Sequence, residues 1–238
     1  MFNWRHFFDE LSRYYYTSLL TLVVEFIVLI ISIIHGRKSK IGSIFISYIM
    51  FDFLISITDF ILGSYKGVSQ KFFNSFLEYS NTLIGLVEIL VYYYFIGMVL
   101  QNKKITLLMK TLATFYTILV IVFFINRFDF ITNRDSYIAS ILGGIEFILL
   151  LPPCIFYFYT LLHNKSEMSL FDRPSFWIVT GIFLFAFISI PYYLINRYIH
   201  INNKEFWFAL TAALYYIPIT LNFTLLIKAF LCKRPLTI

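Results

Sequence analysis

An all-α bundle of seven transmembrane helices is the fold this sequence predicts, and three observations predict it. The first is composition: 60% of the 238 residues are hydrophobic and 13% are charged, with a mean hydropathy of +0.79, against roughly 45–50% apolar residues in soluble domains. The second is run length. Seven apolar runs, at approximately 14–34, 43–62, 79–101, 105–125, 137–162, 176–199 and 206–231, each reach the about 20 residues of helix needed to cross a hydrocarbon layer about 30 Å thick. The third is continuity, since the runs are unbroken rather than alternating, which excludes a transmembrane β-barrel. Short connections leave no room for a separate soluble domain, so residues 1–238 read as one integral membrane domain.

Taken in order, Met1 to Arg13 carries Asp9 and Glu10 and lacks a small-residue cleavage site, so it does not read as a cleavable signal peptide. Its Phe2, Trp4, Phe7, Phe8 and Leu11 predict a short helix lying in the membrane interface. Helix 1 then places Ser18, Thr21, Glu25 and Ser32 at helical spacing. Helix 2 does the same with Tyr48, Asp52, Ser56 and Asp59, helix 3 with Asn81, Gly85, Glu88 and Tyr92, and helix 7 with Thr211, Tyr215, Pro218 and Asn222. Lipid offers no hydrogen bonds, so these faces are expected to point inward. Helices 4 and 6 are poorer in polar residues and are expected to serve as lipid-facing packing. Prolines interrupt helix 5 (Pro152, Pro153), helix 6 (Pro191) and helix 7 (Pro218); each frees a carbonyl that either faces a cavity or is satisfied by a neighbouring helix.

Charge sets the expected orientation. The side holding the first loop carries ten basic residues: Arg37, Lys38, Lys40, Lys103, Lys104, Lys165, Arg173, Lys228, Lys233 and Arg234. The other carries eight: Arg5, Arg13, Lys66, Lys71, Arg127, Arg134, Arg197 and Lys204. The positive-inside rule therefore puts the N-terminus outside and the C-terminus in the cytoplasm. Because these residues are scattered among helix ends, the net charge of +6 reads as juxtamembrane charge in contact with the bilayer, not as a nucleic-acid surface. Trp177 and Trp207 fall at helix ends, where aromatic belts belong. Cys154 in helix 5 and Cys232 beyond helix 7 give no disulfide framework.

The chemistry concentrates in three glutamates. Each lies nine positions after a tyrosine: Tyr16 and Glu25, Tyr79 and Glu88, Tyr137 and Glu146. Helices 1, 3 and 5 run the same way through the membrane, so the three acids sit at matching depth, and the shared pattern reads as a degenerate two-helix repeat. A charge at the bilayer centre costs at least about 2.5–3.5 kcal/mol, which makes each a candidate functional residue. Asp52, from the antiparallel helix 2, joins them. Four ionised carboxylates at one depth would repel, so they must hold protons or a cation. Lys110 lies near the end of helix 4 and snorkels to the headgroups, so it offers no counter-ion.

The candidate ligand- or proton-binding set is thus Glu25, Asp52, Glu88, Tyr92, Glu146, Tyr215 and Asn222, with separate, helix-packing glutamates as the structural alternative. His6, His35, His163 and His200 sit at or beyond helix ends, so a transition-metal centre is not expected. No G-x-S-x-G or HExxH motif occurs, no lysine in the middle of helix 7 could hold retinal, and no cofactor is implied.

The segment Asp172, Arg173, Pro174, Ser175, Phe176, Trp177, Ile178, Val179, Thr180 and Gly181, read as D-x-P-x-F-W-I-x-x-G and followed by Pro191 and the ending L-I-K-A-F-L-C-K, resembles a group of small, uncharacterised seven-helix bacterial membrane proteins. The resemblance implies a bacterial inner-membrane location and no particular activity. Physically, Asp172 or Ser175 is placed to cap helix 6 and Pro174 suits its first turn. The function expected is a receptor-like, sensory membrane protein signalling to a cytoplasmic partner. The alternative is a proton- or cation-coupled transporter of a small solute, and catalysis is the less expected use.

Overall fold

The structure, a computed structural model, describes residues 16–36, 39–64, 69–126, 137–163, 170–202 and 205–232. Among them all regular structure is helical: α1 (Tyr16–Gly36), α2 (Lys40–Ser64), α3 (Gln70–Leu100), α4 (Lys103–Asn126), α5 (Tyr137–His163), α6 (Pro174–Asn202) and α7 (Glu205–Phe230), with a single 3-10 turn, Leu170–Asp172, before α6. The expected interfacial helix of residues 1–13 lies outside the described residues. Helix bounds follow the apolar runs closely except in α3, which begins at Gln70 rather than near residue 79. Ser69 explains this. Its hydroxyl accepts the Phe72 amide at 3.3 Å, capping a polar first turn that hydrophobicity alone does not reveal.

Six helices, α1 to α6, carry apolar stretches of 18 to 26 residues, long enough to span a bilayer, whereas the apolar stretch described in α7, Tyr216–Phe230, is shorter. Large apolar side chains point outward along the bundle, among them Leu54 at 55% and Leu162 at 79% exposure. Such a surface is costly in water and natural in lipid. The architecture is that of an integral membrane protein.

Two connections are tight for identifiable reasons. A side chain on Gly42 would overlap the Gly36 carbonyl, so two glycines let α1 and α2 meet end to end, and Ser39 caps α2 by accepting the Gly42 amide at 2.9 Å. Between α3 and α4, Gln101 adopts the left-handed conformation (φ 50°) and returns its N–H to the Gly97 carbonyl at 3.2 Å. Asn102 then accepts the Lys104 amide at 3.0 Å and opens α4.

Packing follows a ring. α1 packs on α2 and α7, α2 on α3, α3 on α5, α5 on α6, and α6 on α7; α4 stands outside this ring against α3 and α5. The centre is filled by large side chains, with Phe45, Tyr48, Tyr92, Phe95, Tyr116 and Phe223 all essentially buried. Pro152 and Pro153, Pro191 and Pro218 all lie inside continuous helices.

Candidate functional site

Glu88 and Glu146 meet at the centre of the ring. Glu88 lies on the inner face of α3 and Glu146 on that of α5, both buried (5% and 4% exposed), and their carboxyl groups are within hydrogen-bonding reach of each other. An ionised carboxylate only accepts, so a bond between two carboxyl groups requires a proton on one of them. Gly85 makes the meeting possible. It lies one turn before Glu88, and any side chain there would overlap the Glu146 carboxyl.

The pair is extended by phenols and an amide. Tyr48 of α2 donates to Glu88 Oε1 at 2.6 Å, the length typical of a hydroxyl bonded to an ionised acceptor. Tyr92 donates to the Tyr48 oxygen at 3.2 Å, and Asn222 Nδ2 of α7 donates to the Tyr92 oxygen at 2.9 Å. On the other side Tyr116 of α4 lies 3.5 Å from both Glu146 Oε2 and the Leu142 carbonyl, and Tyr193 of α6 packs its ring on Gly143 near Glu146. Glu88 and Glu146 therefore tie one hydrogen-bonded chain to three further helices, α2, α4 and α7, with α6 packed alongside through Tyr193. Asn222 Oδ1 is buried without a partner and lies against Gly181, where a Cβ would come within 2.8 Å.

Glu25 sits apart from the pair. Its carboxyl receives the Ser56 hydroxyl of α2 and stands near Asp59. Asp59 in turn has Ser80 of α3 within hydrogen-bonding reach, and Asp52 lies in electrostatic range of Glu25, Asp59 and Glu88. Two of the three matched glutamates thus touch directly, while the third is linked through Asp52. Tyr92 and Asn222 belong to the central chain, whereas the side chain of Tyr215 lies outside the described residues. Among the described residues no group of three or more His, Cys, Asp or Glu is arranged to hold a metal ion.

The candidate set leaves out several members. Tyr48 and Asp59 share the α2 stripe with Asp52, so their spacing carried the signal. Tyr116 and Tyr193 lie on the two helices expected to serve only as packing; α4 is indeed largely exposed, but Tyr116 is fully buried. Ser175, one of the two expected caps of this helix with Asp172, accepts the Tyr157 hydroxyl of α5 at 3.1 Å, and Pro174 opens α6 as expected. No protein-family model matches the chain, and no curated protein or solved structure matches it either.

Proposed function

We propose that this chain is a receptor-like, seven-span membrane protein that takes up and releases protons at the Glu88–Glu146 pair and passes the change to a cytoplasmic partner. The observation that carries this reading is two buried carboxyl groups within hydrogen-bonding reach of each other at the point where α2, α3, α4, α5 and α7 are joined by one chain of side chains. Losing the shared proton would leave two adjacent anions in a low-dielectric interior, which favours moving the helices apart. A change of one proton then becomes a change of helix packing.

Sensing fits better than coupled transport. Transporters of this kind place the solute where helices are interrupted, whereas α5, α6 and α7 run unbroken through their prolines and tyrosines fill the centre. The seventh span is supported by the length of α7, 26 residues or about 39 Å at 1.5 Å per residue. The ten-to-eight bias of basic residues supports a cytoplasmic C-terminus, and the Asp172–Gly181 resemblance supports a bacterial inner membrane. Trp177, whose indole donates to the Phe171 carbonyl at 2.8 Å with Lys228 5.8 Å from its ring, then reports on the cytoplasmic ends of α6 and α7.

Infrared spectroscopy of the purified protein in bilayers tests the reading. A buried protonated-carboxyl band should disappear as pH rises, and should be lost or shifted by Glu88→Gln and by Glu146→Gln. In a Trp4→Phe, Trp207→Phe background, Trp177 emission should follow the same pH change and stop doing so in the glutamine variants. A missing band, or Trp177 emission indifferent to pH, removes the reading.

A further inference from the structure

The acids of the interior are distributed along one direction only. On α2, Tyr48, Asp52, Ser56 and Asp59 form a single stripe, about 16 Å long at 1.5 Å per residue. Asp59, half-buried, is only five residues from the end of α2 at Ser64, about 7.5 Å along the axis, with Ser80 beside it. Moving inward come Glu25 with Ser56, then Asp52, then Glu88. Asp59 Oδ1 and Glu25 Oε2 are buried without a hydrogen-bond partner, and Glu25 is only 2% exposed. These are acceptors left open along the row.

Past Tyr48 the stripe changes character. Phe45, one turn further toward Lys40, is completely buried and meets Phe95 edge-on at 5.4 Å between ring centroids. Ile96, Leu226 and Phe230 are buried at the same end. The groups facing the acidic row and the pair from the other helices are Ser80, Glu88 and Tyr92 of α3, Tyr116 of α4, Glu146 of α5, Tyr193 of α6 and Asn222 of α7, none of them basic.

We propose that Asp59, Glu25 and Asp52 carry protons between the Glu88–Glu146 pair and the membrane face at the Ser64 end of α2, and that the Phe45–Phe95 contact, together with the buried Tyr48, which walls off the groove it lines with Lys40, Phe51, Val87 and Val91, seals the pair from the Lys40 face. Each step moves one proton from a carboxylic acid to a neighbouring carboxylate, so that no charge pair is created and none is left behind. A site open to one face holds a proton without conducting it, and the pair equilibrates with one compartment. With the orientation set by the basic residues, that compartment is the exterior. This inference rests on the proton-binding reading of the pair and adds its route and sidedness.

The experiment is infrared spectroscopy of the full-length protein in sealed vesicles holding a stable pH difference, with orientation scored by labelling Ser64→Cys and Lys40→Cys with an impermeant thiol reagent. The carboxyl band that Glu88→Gln and Glu146→Gln abolish should follow the pH on the Ser64 face and ignore the pH on the Lys40 face. After a pH jump on the Ser64 face, Asp59→Asn should keep the band but slow its response by about tenfold or more, a barrier raised by about 1.4 kcal/mol. Asp52→Asn, which interrupts the row further in, should do the same, so misfolding of one variant leaves the other to decide. A band that follows the Lys40 face, or that responds at wild-type rate in both variants, overturns the route while leaving the proton-binding pair standing. A band missing from the wild type removes both.

Discussion

Pro153 has no amide hydrogen, so the carbonyl of Leu149, one turn earlier in α5, loses its helical donor. Tyr93 of α3 replaces it, donating to that carbonyl at 2.6 Å. One freed carbonyl of the Pro152-Pro153 pair is therefore satisfied by a neighbouring helix instead of facing a cavity. Tyr93→Phe should cost about 1–3 kcal/mol, since it leaves a buried acceptor unpaired. Pro153→Ala restores an amide at position 153, and in that background the same Tyr93→Phe change should cost much less. Thermal unfolding of the four proteins in detergent measures the cycle, and equal costs in both backgrounds would break the link between tyrosine and proline. The helical period correctly assigned Tyr92, four residues after Glu88, to the inner face and left Tyr94 exposed, at 42%. It did not assign Tyr93, because that side chain serves a carbonyl on another helix, and nothing in α3's own sequence says where that carbonyl lies.

At the scale of elements, the contact between α3 and α5 depends on Gly85 being a glycine. A methyl group there would meet the Glu146 carboxyl, so Gly85→Ala should either push α5 away or swing Glu146 off Glu88. Overpacking of this kind costs about 1–3 kcal/mol, and the carboxyl band should move even if the bundle survives. Gly97→Ala is the comparison within the same helix, where the new methyl meets the flexible end of Met109 at 3.2 Å and the Thr106 side chain at an ordinary 3.6 Å; it should leave the band in place. A Gly85→Ala protein with wild-type stability and an unchanged band would separate the glycine from the pair. That the glutamates face the interior was legible in the sequence, but their depths were not. Glu25 lies beside Ser56 of α2 and Glu88 beside Tyr48, eight residues or about 12 Å apart along that helix. An equal offset from a tyrosine fixes height only when the tyrosines are level, and α3 begins nine residues before Tyr79. Nor was the partner of each glutamate legible. Glu25 turns toward Ser56 and Asp59 while Glu146 turns toward Glu88, and that choice follows from which helices are neighbours. The ring order in which α3 packs on α5 and α4 stands outside is a tertiary fact.

For the molecule as a whole, the central question of topology is whether α7 crosses the bilayer, since an odd or even number of spans decides where the C-terminal segment emerges. α7 packs on α6 along much of its length and closes the ring against α1, and it delivers Asn222 to Tyr92 in the centre, so a helix lying on the surface could not make these contacts. Its 26 residues measure about 39 Å, more than the about 30 Å of hydrocarbon. Reporter fusions after Lys40, Lys104 and Lys233 should therefore all read as cytoplasmic, and fusions after Lys66 and Arg134 as external. The junction at Lys66 avoids α3, which begins at Gln70. The Lys233 fusion is decisive for span number. An external signal there, with the other four as expected, would mean six spans and an α7 that fails to cross. Inversion of all five would keep seven spans but reverse the orientation that the ten-to-eight charge count supports, and the compartment whose pH reaches Asp59 would then be the cytoplasm.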